Sequence, residues 1–302
     1  MAQRFAQLSD PHLSSLENVD FRDLLNKRAL GYLSWRRRRR FEHRPEVLKA
    51  MLADLRQRDF DQLLVTGDLT HIGLPSEFAQ ARRWLDELGD SRHVALVPGN
   101  HDACVKAPWE DTFQMWDAFM ASDEDTGPPT RFPTLRVRDQ IAFIGLTTAN
   151  PKPPLMATGT AGREQLSRLP ALLESTADQG LFRVVYLHHC PIAGQERWRK
   201  RLTDAPQLQA LLKTHGAELV LHGHGHKGQY QHLRTRSGTT PVIAVPSASA
   251  MGLHGADVAQ YNDYAVERID KGWHLEVCGR RFRPEHGDFV ENDCTELTLE
   301  RQ

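Results

Sequence analysis

The chain of 302 residues has few cysteines and no long apolar run. The four cysteines, Cys104, Cys190, Cys278 and Cys294, form no Cys-x-x-Cys pair and show no disulfide spacing, which excludes a disulfide-rich secreted scaffold and favours a reducing compartment. No stretch is apolar enough to span a bilayer, and the first ten residues lack the apolar core of a signal peptide. We therefore expect a cytoplasmic protein, with contact to the inner membrane surface left open.

The chain also lacks a large net charge. The formal value of −1 predicts no overall attraction to nucleic acid or to a membrane. The charge is distributed unevenly, however, because residues 22–44 carry a net +7 and the remainder −8. With 40% hydrophobic residues, we expect one globular domain over 1–302 that bears a basic segment.

Short apolar runs alternate with segments of helical periodicity. The runs predict buried strands, and the alternation predicts layered α/β packing. The strand candidates are 5–8, 62–66, 94–97, 141–146, 184–187, 219–221, 242–245, 264–269 and 273–277, and the helix candidates are 45–58, 76–88, 109–120, 163–176 and 205–214. Ser76 is the predicted N-cap of the second helix, and Pro-, Gly- and Thr-rich residues 123–133 and 150–162 predict loops.

Five polar motifs follow five of the predicted strands. They are Asp10-Pro11-His12, Gly67-Asp68, Gly99-Asn100-His101-Asp102, His188-His189 and Gly223-His224-Gly225-His226. Residues two apart in an extended strand end point to one side, so Asp10 and His12 can share a cation. Gly67 permits a sharp turn that directs the Asp68 carboxylate inward. Carboxylate, amide and imidazole donors together predict a site for two metal ions, with Mn, Fe, Zn or Co favoured over Ca or Mg.

The motif order D-x-H, G-D, G-N-H-D, H-H-x-P and G-H-x-H resembles the calcineurin-like metallophosphoesterase superfamily. The resemblance covers Asp10 to His226 and implies a four-layer α/β/β/α sandwich. It implies two metal ligand sets that share Asp68: the first is Asp10, His12, Asp68 and His226, and the second is Asp68, Asn100, His188 and His224. It also implies that His101 contacts the substrate phosphate and assists the leaving group, while Asp102 orients the His101 imidazole.

The implied reaction is hydrolysis of a phosphoric ester. Two cations about 3.5–4 Å apart can hold a shared water and lower its pKa toward neutrality. The resulting hydroxide would attack phosphorus in line, and the cations together with His101 would neutralise the charge that develops on the phosphoryl oxygens. His189 is undecided between a supporting role and none, whereas His222 and Cys190 are interpreted as structural residues. Gly223, Gly225 and Gly228 are interpreted as turn residues.

Residues 13–44 form a basic insertion, because a minimal connection to the next helix would be far shorter. Apolar residues from Phe21 to Trp35 fall at helical spacing beside the run Arg36 to Arg40. An amphipathic basic helix suits an anionic membrane surface, which gives residues 21–40 as a possible membrane contact. The alternatives to a membrane contact are an amphiphilic phosphate substrate, a solvated helix packed on the domain, and nucleic acid, which is the less favoured partner.

The leading functional prediction is hydrolysis of a small phosphodiester such as a cyclic nucleotide. The alternative is a pyrophosphatase that acts at the inner membrane on a lipid-linked nucleotide such as UDP-2,3-diacylglucosamine, and the insertion favours it. A non-catalytic scaffold is a remote alternative, since every ligand position is filled. The sequence departs from the motifs of the family's protein phosphatases at Gly67-Asp68-Leu69-Thr70 and at Asp102, the last residue of the third motif, which counts against that activity.

The sequence leaves three interpretations of Arg283 to Gln302 open: a polar tail, a cap and a dimer arm. It does not predict the oligomeric state.

Overall fold

Two six-stranded sheets form the centre of the protein. The computed structural model describes residues 2–13, 15–124, 130–236 and 238–300. The first sheet has the order β12-β11-β10-β1-β2-β3 and the second the order β4-β5-β6-β7-β9-β8. The strands are β1 (Gln3–Leu8), β2 (Gln62–Val65), β3 (Val94–Leu96), β4 (Thr134–Arg138), β5 (Ile141–Gly145), β6 (Phe182–Tyr186), β7 (Leu219–His222), β8 (Gln229–Arg234), β9 (Thr239–Ala244), β10 (Gln260–Ile269), β11 (Gly272–Arg283) and β12 (Asp288–Glu300).

Helices cover the outer faces of the sheets. The α-helices are α1 (Arg28–Ser34), α2 (Arg40–Glu42), α3 (Pro45–Leu55), α4 (Pro75–Leu88), α5 (Asp117–Met120), α6 (Arg163–Asp178) and α7 (Ala205–His215). Two 3-10 helices (Phe21–Leu24 and Phe113–Trp116) and one π-helical turn (Trp35–Arg39) complete the helical elements that the structure describes. Within these ranges, no helix combines the length and the apolar composition that a bilayer crossing requires.

In the second sheet, the apolar residues of the parallel strands alternate between two hydrophobic cores. On β5, Phe143 belongs to the core between the sheets and Ile144 to the core beneath α6 and α7. The ring centroids of Phe5 on β1 and Phe143 lie 5.2 Å apart, which marks direct contact between the sheets. α3 and α4 add their apolar faces to the core of the first sheet. This arrangement is the four-layer α/β/β/α sandwich that the family resemblance implied.

Parallel pairing places the carboxyl ends of several strands at one edge. β1, β2 and β3 pair in parallel, as do β5, β6, β7 and β9. Because ligands in α/β sheets bind beyond the carboxyl ends of parallel strands, the loops after these strands are the expected site. The remaining strands, β4, β8, β10, β11 and β12, pair antiparallel with their neighbours.

Three sequence predictions about the elements were wrong. The C-terminal segment is not a free tail or cap, because Asp288–Glu300 form β12 at the edge of the first sheet. α4 begins at Pro75 after the N-cap Leu74, so Ser76 lies inside the helix and does not cap it. The predicted helix over 109–120 is helical only from Phe113, as a 3-10 turn and the short α5. Residues 150–162 form loops as expected, and part of the other predicted loop, 125–129, lies outside the described residues.

The structure also contains a disulfide that the cysteine spacing did not indicate. Cys278 on β11 and Cys294 on β12 are directly opposite in the antiparallel register and are joined by a disulfide. Cys104 and Cys190 are free, buried thiols, in keeping with a structural role. The disulfide removes the cysteine-based argument for a reducing compartment, so the cytoplasmic location stays a prediction.

Candidate metal centre

All five polar motifs lie in loops that follow β1, β2, β3, β6 and β7. β1 ends at Leu8 before the first motif, β2 at Val65 before Asp68, and β3 at Leu96 before Asn100. β6 and β7 of the second sheet lead into the histidine motifs in the same way. The two sheets therefore bring ligands from both halves of the chain to one edge of the sandwich.

Five of the predicted ligands have left-handed backbone conformations. The φ angles are 52° for Asp10, 44° for His12, 57° for Asp68, 66° for His224 and 54° for His226. Residues other than glycine adopt this region rarely, and such conformations cluster at functional sites. The prediction that Asp10 and His12 converge through an extended strand end was wrong in its geometry. They converge because each residue turns the chain individually.

Gly67 is required by a close approach of two loops. Its φ is +95°, and an added Cβ would lie 2.6 Å from the amide nitrogen of Gly99 and 2.8 Å from Nδ1 of His188. Any larger residue would push apart the loops that carry Asp68, Asn100 and His188. The interpretation of Gly67 as a turn residue is therefore confirmed.

The Asp10 carboxylate has one occupied and one free oxygen. Oδ2 accepts hydrogen bonds from Oγ of Ser9 (2.6 Å) and from the backbone N–H of His224 (3.0 Å). Oδ1 is buried without a hydrogen-bond partner among the described residues, and it lies 3.2 Å from Nε2 of His226. A buried carboxylate oxygen costs free energy unless it is paired, so this geometry suits a metal ligand.

Two imidazoles are oriented by backbone carbonyls. Nδ1 of His12 lies 3.0 Å from the carbonyl of Thr70, and Nδ1 of His188 lies 2.7 Å from the carbonyl of Thr66. Donation from Nδ1–H to a carbonyl leaves Nε2 as the unprotonated, metal-binding nitrogen. Nε2 of His12 is buried and has no hydrogen-bond partner in the part of the chain that the structure describes.

The free Nε2 of His188 is surrounded by three other predicted ligands. It lies 3.3 Å from Oδ2 of Asp68, 3.3 Å from Oδ1 of Asn100 and 3.2 Å from Nδ1 of His224. A single ring nitrogen cannot satisfy three such groups by hydrogen bonding, whereas a cation among them would satisfy all four donors.

The electrostatics of the site are also compatible with bound metal cations. Burial would raise the pKa of Asp68, but the His188 and His101 imidazoles hold it well below its usual range. Burial would lower the pKa of His188, but the Asp68 carboxylate raises it to about 9. Asp10 is likewise ionised, because His226 offsets the effect of burial and lowers its pKa. Two buried carboxylates are thus kept as anions among imidazoles, and bound cations would supply the same compensation.

The donor atoms group into three overlapping triads. In each triad the atoms lie within 4.8 Å of one another, and the triads are Asp10/His12/His226, Asp10/Asp68/His188 and His188/His189/His224. The structure thus brings together all seven residues named as metal ligands, since Asn100 contacts His188. The unpartnered buried donors and the mixed oxygen and nitrogen chemistry of these residues fit bound metal cations.

His189 lies among the ligands, but both of its ring nitrogens have other neighbours. Nδ1 is 2.7 Å from Oγ1 of Thr148, and Nε2 is 3.2 Å from the carbonyl of Ala157. Burial is the main reason that its pKa is lowered to about 3, so the ring is neutral. These contacts favour a packing role beside His188 and His224 over a role as ligand.

His101 is anchored by its backbone and by its ring. Its backbone N–H donates to Oδ1 of Asp68 at 2.7 Å. Its ring Nδ1 lies 2.6 Å from the carbonyl of His71 and 3.0 Å from Nη1 of Arg39. Burial and the Arg39 guanidinium lower the pKa of His101 to about 4, so its imidazole is neutral near pH 7. The ring is only partly buried and is therefore accessible to a substrate.

Asp102 has a different contact set from the one that the resemblance implied. Its Oδ2 accepts the backbone N–H groups of Asp68 and Gly99, each at 2.9 Å. Its Oδ1 accepts the N–H (2.9 Å) and the hydroxyl (3.0 Å) of Thr70. The carboxylate therefore joins the loops after β2 and β3, and the carbonyl of His71 takes the place beside the His101 ring that was predicted for Asp102.

Sequence reasoning missed three side chains at this site: Arg39, His43 and His71. The rings of His43 and His71 lie 4.4 Å and 5.1 Å from that of His12, and Nδ1 of His43 lies 2.8 Å from Oγ of Ser249. His71 comes three residues after Asp68, so a longer second motif could have included it. His43 and Arg39 belong to the insertion, where no spacing pattern pointed to the metal centre.

The fold and this site define a metal-dependent phosphoesterase. Residues 3–228 match the family described as calcineurin-like phosphoesterase, and the chain belongs to this family, which uses a dinuclear metal centre. The protein is therefore a hydrolase of phosphoric esters.

One curated relative and two solved structures are similar to this chain. A probable cyclic nucleotide phosphodiesterase from Synechococcus sp. is 28% identical over 210 residues, which cover 66% of this chain and 69% of that protein. A dimetal phosphatase from Danio rerio superposes with a TM-score of 0.53 at 14% identity, covering 99% of each chain, and supports the fold alone. Vps29 from Entamoeba histolytica gives a TM-score of 0.43 at 12% identity, covering 98% of this chain and 100% of that one.

Proposed function

We propose that this protein hydrolyses a small phosphodiester of the cyclic nucleotide type at a dinuclear metal centre. The observation that carries the proposal is the convergence of Asp68, Asn100 and His224 on Nε2 of His188, next to the open Oδ1 of Asp10. The similarity to a probable cyclic nucleotide phosphodiesterase supports the substrate class.

In this proposal the metal ligands are the residues named from the sequence. Asp10, His12, Asp68 and His226 would hold one cation, and Asp68, Asn100, His188 and His224 the other. When bound, two such cations act as Lewis acids that activate water and the phosphoryl group, and Mn, Fe, Zn and Co all suit the donor set.

The other residues orient the ligands and the substrate. The carbonyls of Thr66 and Thr70 keep Nε2 of His188 and His12 directed at the centre. Asp102 holds the loops of Asp68 and Asn100 in register. The partly buried ring of His101 would contact the phosphate and assist departure of the leaving oxygen.

The substrate class is tested by direct comparison of two phosphate compounds. Mn-loaded protein is incubated with 3′,5′-cyclic AMP or with UDP-2,3-diacylglucosamine, the metal is removed with EDTA, and the products are measured by phosphorus NMR. We expect conversion of cyclic AMP to AMP. Cleavage of the lipid-linked nucleotide alone would replace the proposal by the pyrophosphatase alternative, and turnover of neither would contradict both.

The pyrophosphatase alternative, with action at the inner membrane surface, rests on the exposed side of the insertion. Phe21, Leu25, Leu30 and Leu33 are 74%, 69%, 43% and 44% exposed, and four arginines of the run 36–40 are exposed nearby. Such a surface suits an acyl chain or an anionic lipid surface.

Vesicle binding tests this surface. Replacing Arg36, Arg37, Arg38 and Arg40 by glutamine is expected to weaken binding to vesicles that contain phosphatidylserine, since each basic residue contributes about 1 kcal/mol near such a surface. Co-sedimentation measures binding, with pure phosphatidylcholine vesicles as the control. Equal sedimentation of the wild type and the variant with anionic vesicles would eliminate the membrane contact.

A further inference from the structure

Arg39 differs from the other four arginines of its run. Arg36, Arg37, Arg38 and Arg40 are exposed, whereas Arg39 is partly buried at the metal centre. The segment Trp35–Arg39 is a π-helical turn, closed by a hydrogen bond from the N–H of Arg40 to the carbonyl of Trp35. Arg39 comes four residues after the buried Trp35, so the two residues lie on the same inward-facing side of the helical segment. Single π-helical turns are rare and are frequently found at functional sites.

The segment around Arg39 is docked firmly on the loop that follows Asp68. Trp35 is 4% exposed and packs in a small core with Leu16, Ile72 and Leu74. Arg28, which is itself buried, donates from Nε to the carbonyl of Ile72 (3.1 Å) and from Nη2 to that of Gly73 (2.6 Å). These contacts show that the insertion also stabilises the loops of the metal site. The position of the insertion therefore determines where the Arg39 guanidinium lies.

In the described part of the chain, the guanidinium of Arg39 has only the His101 ring nitrogen as a hydrogen-bond neighbour. Its Nη1 lies 3.0 Å from Nδ1 of His101, but that nitrogen is already 2.6 Å from the carbonyl of His71. One ring nitrogen cannot donate to the carbonyl and also accept from the guanidinium. Among the residues that the structure describes, Arg39 forms no ion pair with a carboxylate. Burial lowers the pKa of Arg39, and the charges of Asp68 and Asp10 oppose that shift.

A partly buried cation without an anionic partner is costly in free energy unless an anion binds beside it. We propose that Arg39 is a phosphate-binding residue that the insertion places at the metal centre. Its guanidinium binds the non-bridging oxygens of the substrate phosphoryl group. This role rests on the proposed function. A guanidinium presents two parallel N–H donors, which match two phosphoryl oxygens in geometry and charge.

Phosphate affinity tests the role without catalysis. Calorimetric titration of Mn-loaded protein with inorganic phosphate is performed for the wild type, Arg39→Ala and Arg38→Ala. Arg38→Ala is the matched control, because it removes the same charge from the adjacent, exposed position. We expect Arg39→Ala to weaken phosphate binding by about 10- to 100-fold, the range for loss of charged hydrogen bonds, and Arg38→Ala by less than about twofold. Bound manganese, measured by mass spectrometry, must be equal in all three.

Chemical rescue separates contact with phosphate from support of the fold. Free guanidinium ion at millimolar concentration is expected to restore hydrolysis of bis(4-nitrophenyl) phosphate by Arg39→Ala and to leave Arg38→Ala unchanged. If Arg39→Ala does not fold, Arg39→Gln, which retains the three side-chain carbons but not the guanidinium, is expected to show the same loss of phosphate affinity.

Equal phosphate affinity in the Arg39 and Arg38 variants would overturn the assignment. A wild type that binds phosphate through Arg39 but hydrolyses no diester would retain the assignment and reject the proposed function. Loss of manganese from a folded Arg39 variant would also overturn the assignment, because the residue would then support the metal site and not the phosphate.

Discussion

Replacing Asp68 by alanine is expected to lower kcat for diester hydrolysis by about 10³-fold or more and to reduce bound metal below two ions per chain. Asp68 is the carboxylate assigned to both cations, and it lies within 3.3 Å of Nε2 of His188. Bound cations contribute several kcal/mol of transition-state stabilisation, and each 1.36 kcal/mol corresponds to a tenfold change in rate.

Metal content and turnover are measured on the same samples. Asp86→Asn is the matched control, because Asp86 is an exposed carboxylate on α4 whose partner is Arg82. It is expected to retain both metal ions and at least about 80% of the activity, since exposed ion pairs contribute about 0.2–1 kcal/mol to stability and do not reach the site. Retention of two ions in Asp68→Ala would refute its assignment as the shared ligand.

The convergence of the candidate ligand residues could be predicted, because it depends on local order along the chain. A polar motif after an apolar strand is readable from sequence, and the parallel strands then bring the motifs together. The contacts of Asp102 were not readable, because they depend on how the loop after β3 meets the loop after β2. Left-handed conformations at Asp10 and His12 are likewise set by tertiary packing.

Edge strands were the main failure of the fold prediction. β12 is exposed along most of its length, so its sequence has the polar composition of a tail. β8 is also an edge strand, with only Leu233 buried. Strands of this type are stabilised by pairing with a neighbour and bury few side chains, so they carry little hydrophobic signal.

The insertion shows why a charge run is ambiguous in sequence. Five consecutive arginines look equivalent, but the π-helical turn after Trp35 assigns Arg39 to the metal centre and leaves the others in solvent. The docking contacts of Arg28 reach residues more than forty positions away. Such long-range contacts leave no periodic pattern, and only the structure distinguishes Arg39 from its neighbours.

Replacing His101 by alanine is expected to lower kcat by about 10²- to 10⁴-fold, the usual contribution of a proton-transferring side chain, while both metal ions remain bound. The metal site keeps its support because His101 contacts Asp68 through its backbone N–H, which alanine also has. The imidazole is neutral before substrate binds, and the negative charge of a bound phosphodiester would raise its pKa.

The leaving group distinguishes proton transfer from simple contact. If the His101 ring delivers a proton to the leaving oxygen, His101→Ala loses most of its rate on an alkyl ester and little on a 4-nitrophenyl ester, whose phenolate departs without protonation. His43→Ala is the matched control, since His43 is also an imidazole near His12 but its Nδ1 is held by Ser249. It should show no such dependence on the leaving group. An equal loss on both esters would assign His101 to phosphate binding alone, and loss of metal ions would assign it to the support of the metal centre.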